Sequence, residues 1–585
     1  MKRTHKCGEL RLEQAGQEVS LCGWVAKRRD LGGMIFLDLR DRWGLVQVVY
    51  YPDSPGYALA DQVRSEYVLS LRGVVQPREG NVNLEMPTGE IEVAGGETEI
   101  LNPATLPPFY IQDEVEVDEN LRLRYRYLDL RRPVMQANLL LRSKAAAIFR
   151  NFLASRDFIE VETPYLAKST PEGARDFLVP SRVHPGKFYA LPQSPQLQKQ
   201  LLMVAGLERY YQLARCFRDE DLRSDRQLEF TQVDIEVSFM EQEEFFALME
   251  ELIGKLFLDL KGYQLPSIFP RLTWQTAMEK YGSDKPDLRY GLEIVDLSSL
   301  GGASQFKIFT DAVGAGGSVR GLKAPALFSR KELDGLTELV KAAGAKGLAW
   351  LARDAEGLRS PIAKYFSPSQ LEELEKAATL AAGETLLLVA DGDTYGVVLP
   401  ALGTLRVQLG AQLKLFSGED YKPCWVVDFP LFEYDQEEGR YVAAHHAFTA
   451  PLPGDMDKLI SDPGAVRAQA YDLVLNGWEV ASGSVRNHTA KGQEAVFRAI
   501  GLSQEQAQEK FGFLLEALGA GAPPHRGIAF GFDRLAAILA GENSIRNVIA
   551  FPKTNSASDP MTEAPSPVDP QQLAELKITV PPGRG

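Results

Sequence analysis

Cysteine is scarce in this chain: Cys7, Cys22, Cys216 and Cys424 are four residues in 585, and none is spaced to pair with another. That excludes a disulfide framework and a cysteine zinc site, and it fits a reducing, cytoplasmic location. No apolar run approaches the roughly 20 residues that a bilayer-spanning helix needs, so no membrane partner is expected. The basic start, Met1 to Lys6, leads into polar sequence rather than an apolar stretch, so no secretory signal is expected. There are six histidines, and only His445 and His446 are adjacent, with no carboxylate–histidine spacing that marks a metal site. Internal repeats are absent.

What is present describes a large globular protein. Hydrophobic residues make up 45% and charged residues 24%, and the length calls for three or four domains. The net charge of −15 argues against nucleic acid as a partner until its distribution is read. Residues 1–50 hold nine Lys/Arg against six Asp/Glu, a local +3, with Lys27, Arg28 and Arg29 adjacent.

Residues 1–105 alternate as short strands: Val19–Val25, then Met34–Leu39 and Leu45–Tyr50 as a hairpin turning at Asp41–Gly44. Several short strands and a basic loop, Arg28–Gly33, predict a small barrel of the OB type. Ile35, Leu37 and Leu39 face its core, which turns Phe36 outward with Asp38 and Arg40, beside Arg28 and Arg29. An outward aromatic among cations is either a base-stacking platform or a surface covered by another domain. Residues 106–122 read as a linker. A helix is expected from about Gln136 to Ser155, followed by a strand, Phe158–Pro164. Residues 286–420 are rich in Ala, Gly and Lys, without a polar motif. The tail, 551–585, holds seven prolines and is expected to be a loosely ordered extension.

Two segments carry chemistry. Tyr210–Arg218 and Phe230–Phe239 flank a charged loop containing Asp219, Glu220 and Gln227. On the second strand Thr231, Val233, Ile235, Val237 and Phe239 form one face; Phe230, Gln232, Asp234, Glu236 and Ser238 form the other. Far downstream, Gly531-Phe532-Asp533-Arg534 ends a glycine-rich strand as a helix begins, a place that favours anions. Asn476-Gly477 is a two-residue hairpin signal; pairing Val474 with Glu479 and Asp472 with Ala481 puts both acids on one face. Alternation from Glu479 sends Arg486 to the other face, unless a bulge at Gly483 resets the strand.

These motifs resemble those of class II aminoacyl-tRNA synthetases and, over nearly the whole length, the bacterial-type aspartate members. The resemblance implies a multidomain α+β fold: an OB-fold anticodon-binding barrel (1–105), a linker or hinge (106–122), an antiparallel-sheet catalytic domain in two parts (123–285 and 421–550), an inserted α+β domain (286–420) and the C-terminal extension. It implies a homodimer, L-aspartate, ATP and tRNA(Asp) as substrates, and Mg2+ with ATP. Arg218 and Arg534 would neutralise phosphates; Asp219, Glu220, Gln227, Phe230, Glu479, Gly531, Phe532 and Asp533 would complete the ATP site. Lys199 and Arg486 would take the substrate's side-chain carboxylate; Glu172, Gln196 and Asp234 its ammonium, with Arg218 and His445 alongside. Asp472 and Glu479 would hold the metal. Arg29, Leu31, Phe36 and Gln47 would read the anticodon, with Leu31 favouring discrimination against tRNA(Asn). The motif around Arg534 has Ala529 where the general class II pattern has glycine, and Gln198 stands where an aromatic is common. Asparaginyl- and lysyl-tRNA synthetases are disfavoured by two cations in the pocket. An asparagine synthetase is disfavoured by the barrel, and a non-catalytic RNA-binding protein by the intact motif residues.

Overall fold

The computed structural model describes residues 2–78, 80, 82–114, 116–170 and 174–580, in two compact units: Met1–Leu140 with Ala550–Thr554 and Ser558–Pro565, and Leu141–Ile549 with Asn555–Ala557 and Ser566–Gly585.

In the first unit the alternating segments close into a barrel. Strands β1 (Glu18–Leu31), β2 (Met34–Asp41), β3 (Gly44–Tyr50), β4 (Val68–Pro77) and β5 (Ile91–Asn102) run in the order β1-β2-β3-β5-β4 around Leu21, Ile35, Leu37, Leu39, Val48 and Leu71. The first strand does not stop at Val25. A bulge between Val25 and Lys27 carries it on to Leu31, so the expected basic loop is strand plus the two-residue turn Gly32-Gly33. Both glycines have positive φ (64° and 84°), which suits glycine and matches the twist of a tight hairpin. Arg40 is on the outer face but not in water: it is 7% exposed and paired with Glu66 at 2.7 Å, and Glu66 also holds Arg131 at 2.7 Å.

After the barrel, residues 103–118 are mostly irregular, and two short helices follow, Glu119–Arg124 and Arg126–Asp129. The described part of the tail, 551–580, is mostly irregular, with local caps and one short helix. Asp559 accepts from Met561 N at 2.9 Å and Thr562 Oγ1 at 2.6 Å, and Asp569 caps a helix, Pro570–Leu576.

The second unit is built on an eight-stranded sheet. Its order is Arg271–Thr273, Pro423–Val427, Ala470–Leu475, Trp478–Val485, His525–Gly531, Glu229–Ser238, Arg209–Phe217 and Ile159–Glu160. The six central strands pair antiparallel; only the outermost pairings are parallel. The helices Pro133–Ala154 and Gln242–Lys261 supply Phe149, Leu153, Phe245 and Leu252 to the core against one sheet face, where Val233, Ile235, Val237, Ile528 and Phe530 are buried. Phe239 breaks the expected alternation: with φ of 58° it leaves the strand and is 69% exposed. Two glycines let the middle strands approach. A Cβ on Gly483 would lie 2.2 Å from Gly527 O, and one on Gly527 would lie 1.7 Å from Glu236 Oε2. Between the halves of this sheet, residues 294–391 form a separate antiparallel sheet of five strands, packed with helices such as Arg330–Ala342 and Leu399–Gln412. Among the described residues, no helix is long and apolar enough to cross a membrane.

Candidate active site and barrel face

The sheet face opposite that core is polar and forms the floor of a cleft of about 550 Å3. Period two alone puts Phe230, Gln232, Asp234 and Glu236 on this side of the Glu229–Ser238 strand. Asp234 and Glu236 are both fully buried, so their charges need partners. Lys199, from the helix Gln196–Val204, lies 2.9 Å from Asp234 and 3.4 Å from Glu236. Arg486 donates to Glu236 through Nε at 2.9 Å and Nη2 at 3.2 Å. Burial raises the Asp234 carboxyl above its usual range, with Lys199 opposing. Burial also acts on Glu236, but Arg486 and then Lys199 outweigh it and hold the carboxyl below its usual range. Two cations thus meet two internal acids. The two cations expected to stand against an amide or ammonium substrate therefore each carry an internal counter-charge in the ligand-free cleft. Asp234 Oδ2 and Gln196 Nε2 are buried with no hydrogen-bond partner among the described residues, on the cleft wall where a cation and an acceptor would satisfy them.

Asp472 and Glu479 share this face, in a register one step from the expected one. Val474 pairs with Glu479, but a bulge sets Asp472 opposite Ser482. Val480 is the extra residue, so the strand resets there rather than at Gly483, and that brings Arg486 into the cleft. Asp472 is 3% exposed and its Oδ1 has no hydrogen-bond partner among the described residues; burial, then Glu479, push its carboxyl well above the usual range. Glu479 goes the other way: Lys285, 2.9 Å away, and Arg534 outweigh its burial. A buried carboxyl with one unpartnered oxygen, beside a second acid, fits a hard divalent cation completed by phosphate oxygens. His445 stands edge-on to Phe429 with Nε2 3.9 Å from Asp472. His446 is half-buried, its Nε2 lies 2.8 Å from Arg486, and burial followed by that guanidinium moves it well below its usual range.

Arg218 and Arg534 line the same cleft. The Arg218 guanidinium lies 5.0 Å from the Phe230 ring centroid. Arg534, in the first turn of the Phe532–Ala540 helix, donates to Glu479 O at 3.1 Å and to Asp225 at 3.2 Å. Glu220, Gln227 and Gly531 also line the cleft. Three expected ATP-site residues stand differently. Asp219 is exposed and faces a neighbouring depression with Arg175 and Asn555. Phe532 is 2% exposed, packed edge-on to Phe149 beneath the floor, because the first turn of its helix points it inward. Asp533 reaches the cleft wall but is engaged by Arg142 and by Thr231 N, the latter at 2.8 Å. Glu172 lies outside the described residues.

On the barrel, the Ala26 bulge sets Arg29 opposite Phe36. Arg29 donates to Asp38 at 2.6 Å and to Gln47 at 3.2 Å; Arg78 also donates to Gln47, which in turn donates to Glu92 at 2.7 Å. Phe36 is half-buried beside this network, and Leu31, 59% exposed, ends the strand. Arg28 is not beside Phe36; it points to the other side and pairs with Asp61 at 2.7 Å.

Residues 19–101 match the family of OB-fold nucleic acid binding domains, and residues 118–555 match the family "tRNA synthetases class II (D, K and N)". The chain belongs to the class II tRNA synthetases. It is 55% identical over 583 residues to an aspartate–tRNA(Asp/Asn) ligase of Natranaerobius thermophilus, covering 99% of each chain. It is 53% identical over 585 residues to one of Syntrophomonas wolfei, covering 99% of this chain and all of that one. Its fold is also that of the asparaginyl-tRNA synthetase of Pyrococcus horikoshii solved with asparaginyl-adenylate, with a TM-score of 0.60 over 95% of this chain and 98% of that one, at 19% identity.

Several groups in the synthetase cleft had no mark in the sequence. Lys285 and Asp225 sit in charged loops with no periodicity. Glu236 was visible on the polar face of its strand, but its partner Arg486 lies 250 residues away. The pH dependence of Asp472 is checkable. A carboxyl raised in the folded state adds stability below its unfolded pKa, and that stability is lost as pH climbs to the folded value. Asp472→Asn is therefore expected to raise the thermal midpoint of the ligand-free synthetase, more at pH 8 than at pH 5. Equal midpoints for the two chains at both values would contradict it.

Proposed function

We propose that this synthetase activates L-aspartate with ATP and transfers it to the 3′ end of tRNA(Asp). The observation that carries this reading is the buried Lys199–Asp234–Glu236–Arg486 cluster opening into the cleft that holds Arg218 and Arg534. A carboxylate oxygen of aspartate attacks the α-phosphorus, the bond to the β-phosphate oxygen breaks, and pyrophosphate leaves. A terminal ribose hydroxyl then attacks the acyl carbon and AMP leaves. Neither step needs a protein nucleophile; both need alignment and neutralised charge.

In this reading Arg218 and Arg534 take phosphate oxygens, with Phe230 under the adenine and Glu220, Gln227 and Gly531 around it. Lys199 and Arg486 turn their free donor directions to the aspartate side chain. Asp234 Oδ2, Gln196 and Glu172 receive the ammonium, and neutral His445 donates without adding charge. Asp472 and Glu479 would hold Mg2+, which would offset charge on the phosphates when bound. Phe532 and Asp533 act by holding the walls, and Asp219 stands outside them. The barrel (1–105) reads the anticodon through Arg29, Phe36, Gln47 and Leu31; 106–122 is the hinge, 123–285 and 421–550 the catalytic domain, 286–420 an insertion and 551–585 an extension. The setting is the cytoplasm.

The names of the two relatives favour a second acceptor, tRNA(Asn), while Leu31 carries the opposite expectation. Charging of purified tRNA(Asp) and tRNA(Asn) decides it: comparable rates support the double acceptor, and an uncharged tRNA(Asn) supports discrimination. Exposed Ile159, Tyr165, Leu166 and Leu178 near the sheet edge support a homodimer. The full chain is expected to sediment at twice its mass and Leu166→Asp nearer to once; a single-chain mass for both removes the dimer. Aspartate-dependent ATP–pyrophosphate exchange without tRNA tests the chemistry. Exchange is expected with aspartate and not with asparagine or lysine. Lys199→Ala and Arg486→Ala should each lower kcat/KM for aspartate by about a hundredfold, from roughly 3 kcal/mol of lost pairing. Near-normal exchange in both variants refutes the pocket.

A further inference from the structure

The barrel carries a second cationic feature. Trp43, 42% exposed, lies in the turn between β2 and β3. Arg42, Lys6 and Arg3 place their charged heads 4.7, 4.8 and 5.0 Å from its ring centroid. This end of the hairpin is five residues beyond Phe36, about 17 Å along β2, so it is separate from the Arg29–Phe36–Gln47 face.

The arrangement is built into the backbone. Asp41, 5% exposed, accepts from the N–H of Cys7 at 2.8 Å and of Trp43 at 2.8 Å, tying the amino-terminal segment to the turn. Gly8 packs so closely that a Cβ there would lie 1.9 Å from Trp43 O. Counter-charge is short. Asp41 reaches Arg3 at 3.6 Å and Glu9 reaches Lys6 at 3.2 Å, while Arg42 forms no ion pair among the described residues. Three like charges around one ring repel one another well within a Debye length of about 10 Å, and they do so on a chain whose net charge is −15. A polyanion relieves that repulsion. Cations spaced around a rigid, exposed indole suit phosphates that run past a stacking or sugar-packing surface.

We infer that Arg3, Lys6, Arg42 and Trp43 form an RNA-backbone contact on the barrel, outside the anticodon-reading face, that takes phosphates of the tRNA. This rests on the reading of the chain as a tRNA-charging enzyme. The test uses the full chain with Lys6→Gln plus Arg42→Gln, with Trp43→Ala and, as a reference, with Phe36→Ala. KM for tRNA(Asp) is measured at low and moderate salt beside pyrophosphate exchange and the thermal midpoint. The double variant should raise KM about three- to tenfold and flatten its log–log salt slope by about one to two, leaving exchange and midpoint unmoved. Trp43→Ala should raise KM in the same direction. An unchanged KM and slope overturns the inference, as does a salt-independent rise with a lowered midpoint, which would make the patch a structural clasp. If Phe36→Ala raises KM while the patch variants do not, the patch alone fails. If none of the three affects tRNA while exchange persists, the tRNA reading of the barrel fails with it.

Discussion

Four charges buried on one sheet face set the terms for everything around them. Lys199, Asp234, Glu236 and Arg486 come from a helix, a strand and the end of a third element, and each is within hydrogen-bond reach of an opposite charge. Removing Lys199 strands Asp234, and removing Glu236 strands Arg486, away from water, which is far more costly than replacing the whole set. The close approach of Gly483 to Gly527, and of Gly527 to Glu236, serves this cluster, since a methyl group at either position would occupy space already taken by backbone or carboxylate. Because the charges balance, a ligand works by exchanging partners within the cluster rather than by filling an empty charge.

The cleft's titratable groups divide into those held charged by a partner and those that burial moves towards neutrality. In the first group Glu236 is held ionised and Arg486 is strengthened as a cation, so neither changes state near neutral pH. In the second, Asp472 and His445 are displaced by burial towards their neutral forms, as are His446 against Arg486 and Asp234 beside Lys199. The Glu236–Arg486 pair is therefore the fixed charge of the ligand-free cleft, and Asp234, Asp472 and the two histidines are the groups that burial moves towards neutrality.

Much of this was readable from local pattern. The barrel hairpin, the polar face of Glu229–Ser238 and the long helix Pro133–Ala154, expected from about residue 136, follow from periods of two and 3.6. What escaped was long-range or polar burial. Arg40 reads as a surface residue because nothing near it announces Glu66 and Arg131. The contact of His446 with Arg486 has no local mark, because the two are 40 residues apart. The short helix Pro570–Leu576 escaped because its start is marked by the Asp569 carboxylate cap rather than by apolar periodicity.

Strand parity escaped as well, and it governs both faces. Ala26 in the barrel and Val480 in the cleft are each the odd residue in a bulge. Before each bulge the side chains count one way, and after it the other. Arg29 meets Phe36, and Arg486 meets Glu236, only because one residue was added upstream. Loss of a single residue at either point would leave composition, core and strand length nearly intact, yet it would turn the following side chains over, sending Ser482, Ser484 and Arg486 towards the apolar layer. These two strands thus tolerate substitution far better than a change in length by one.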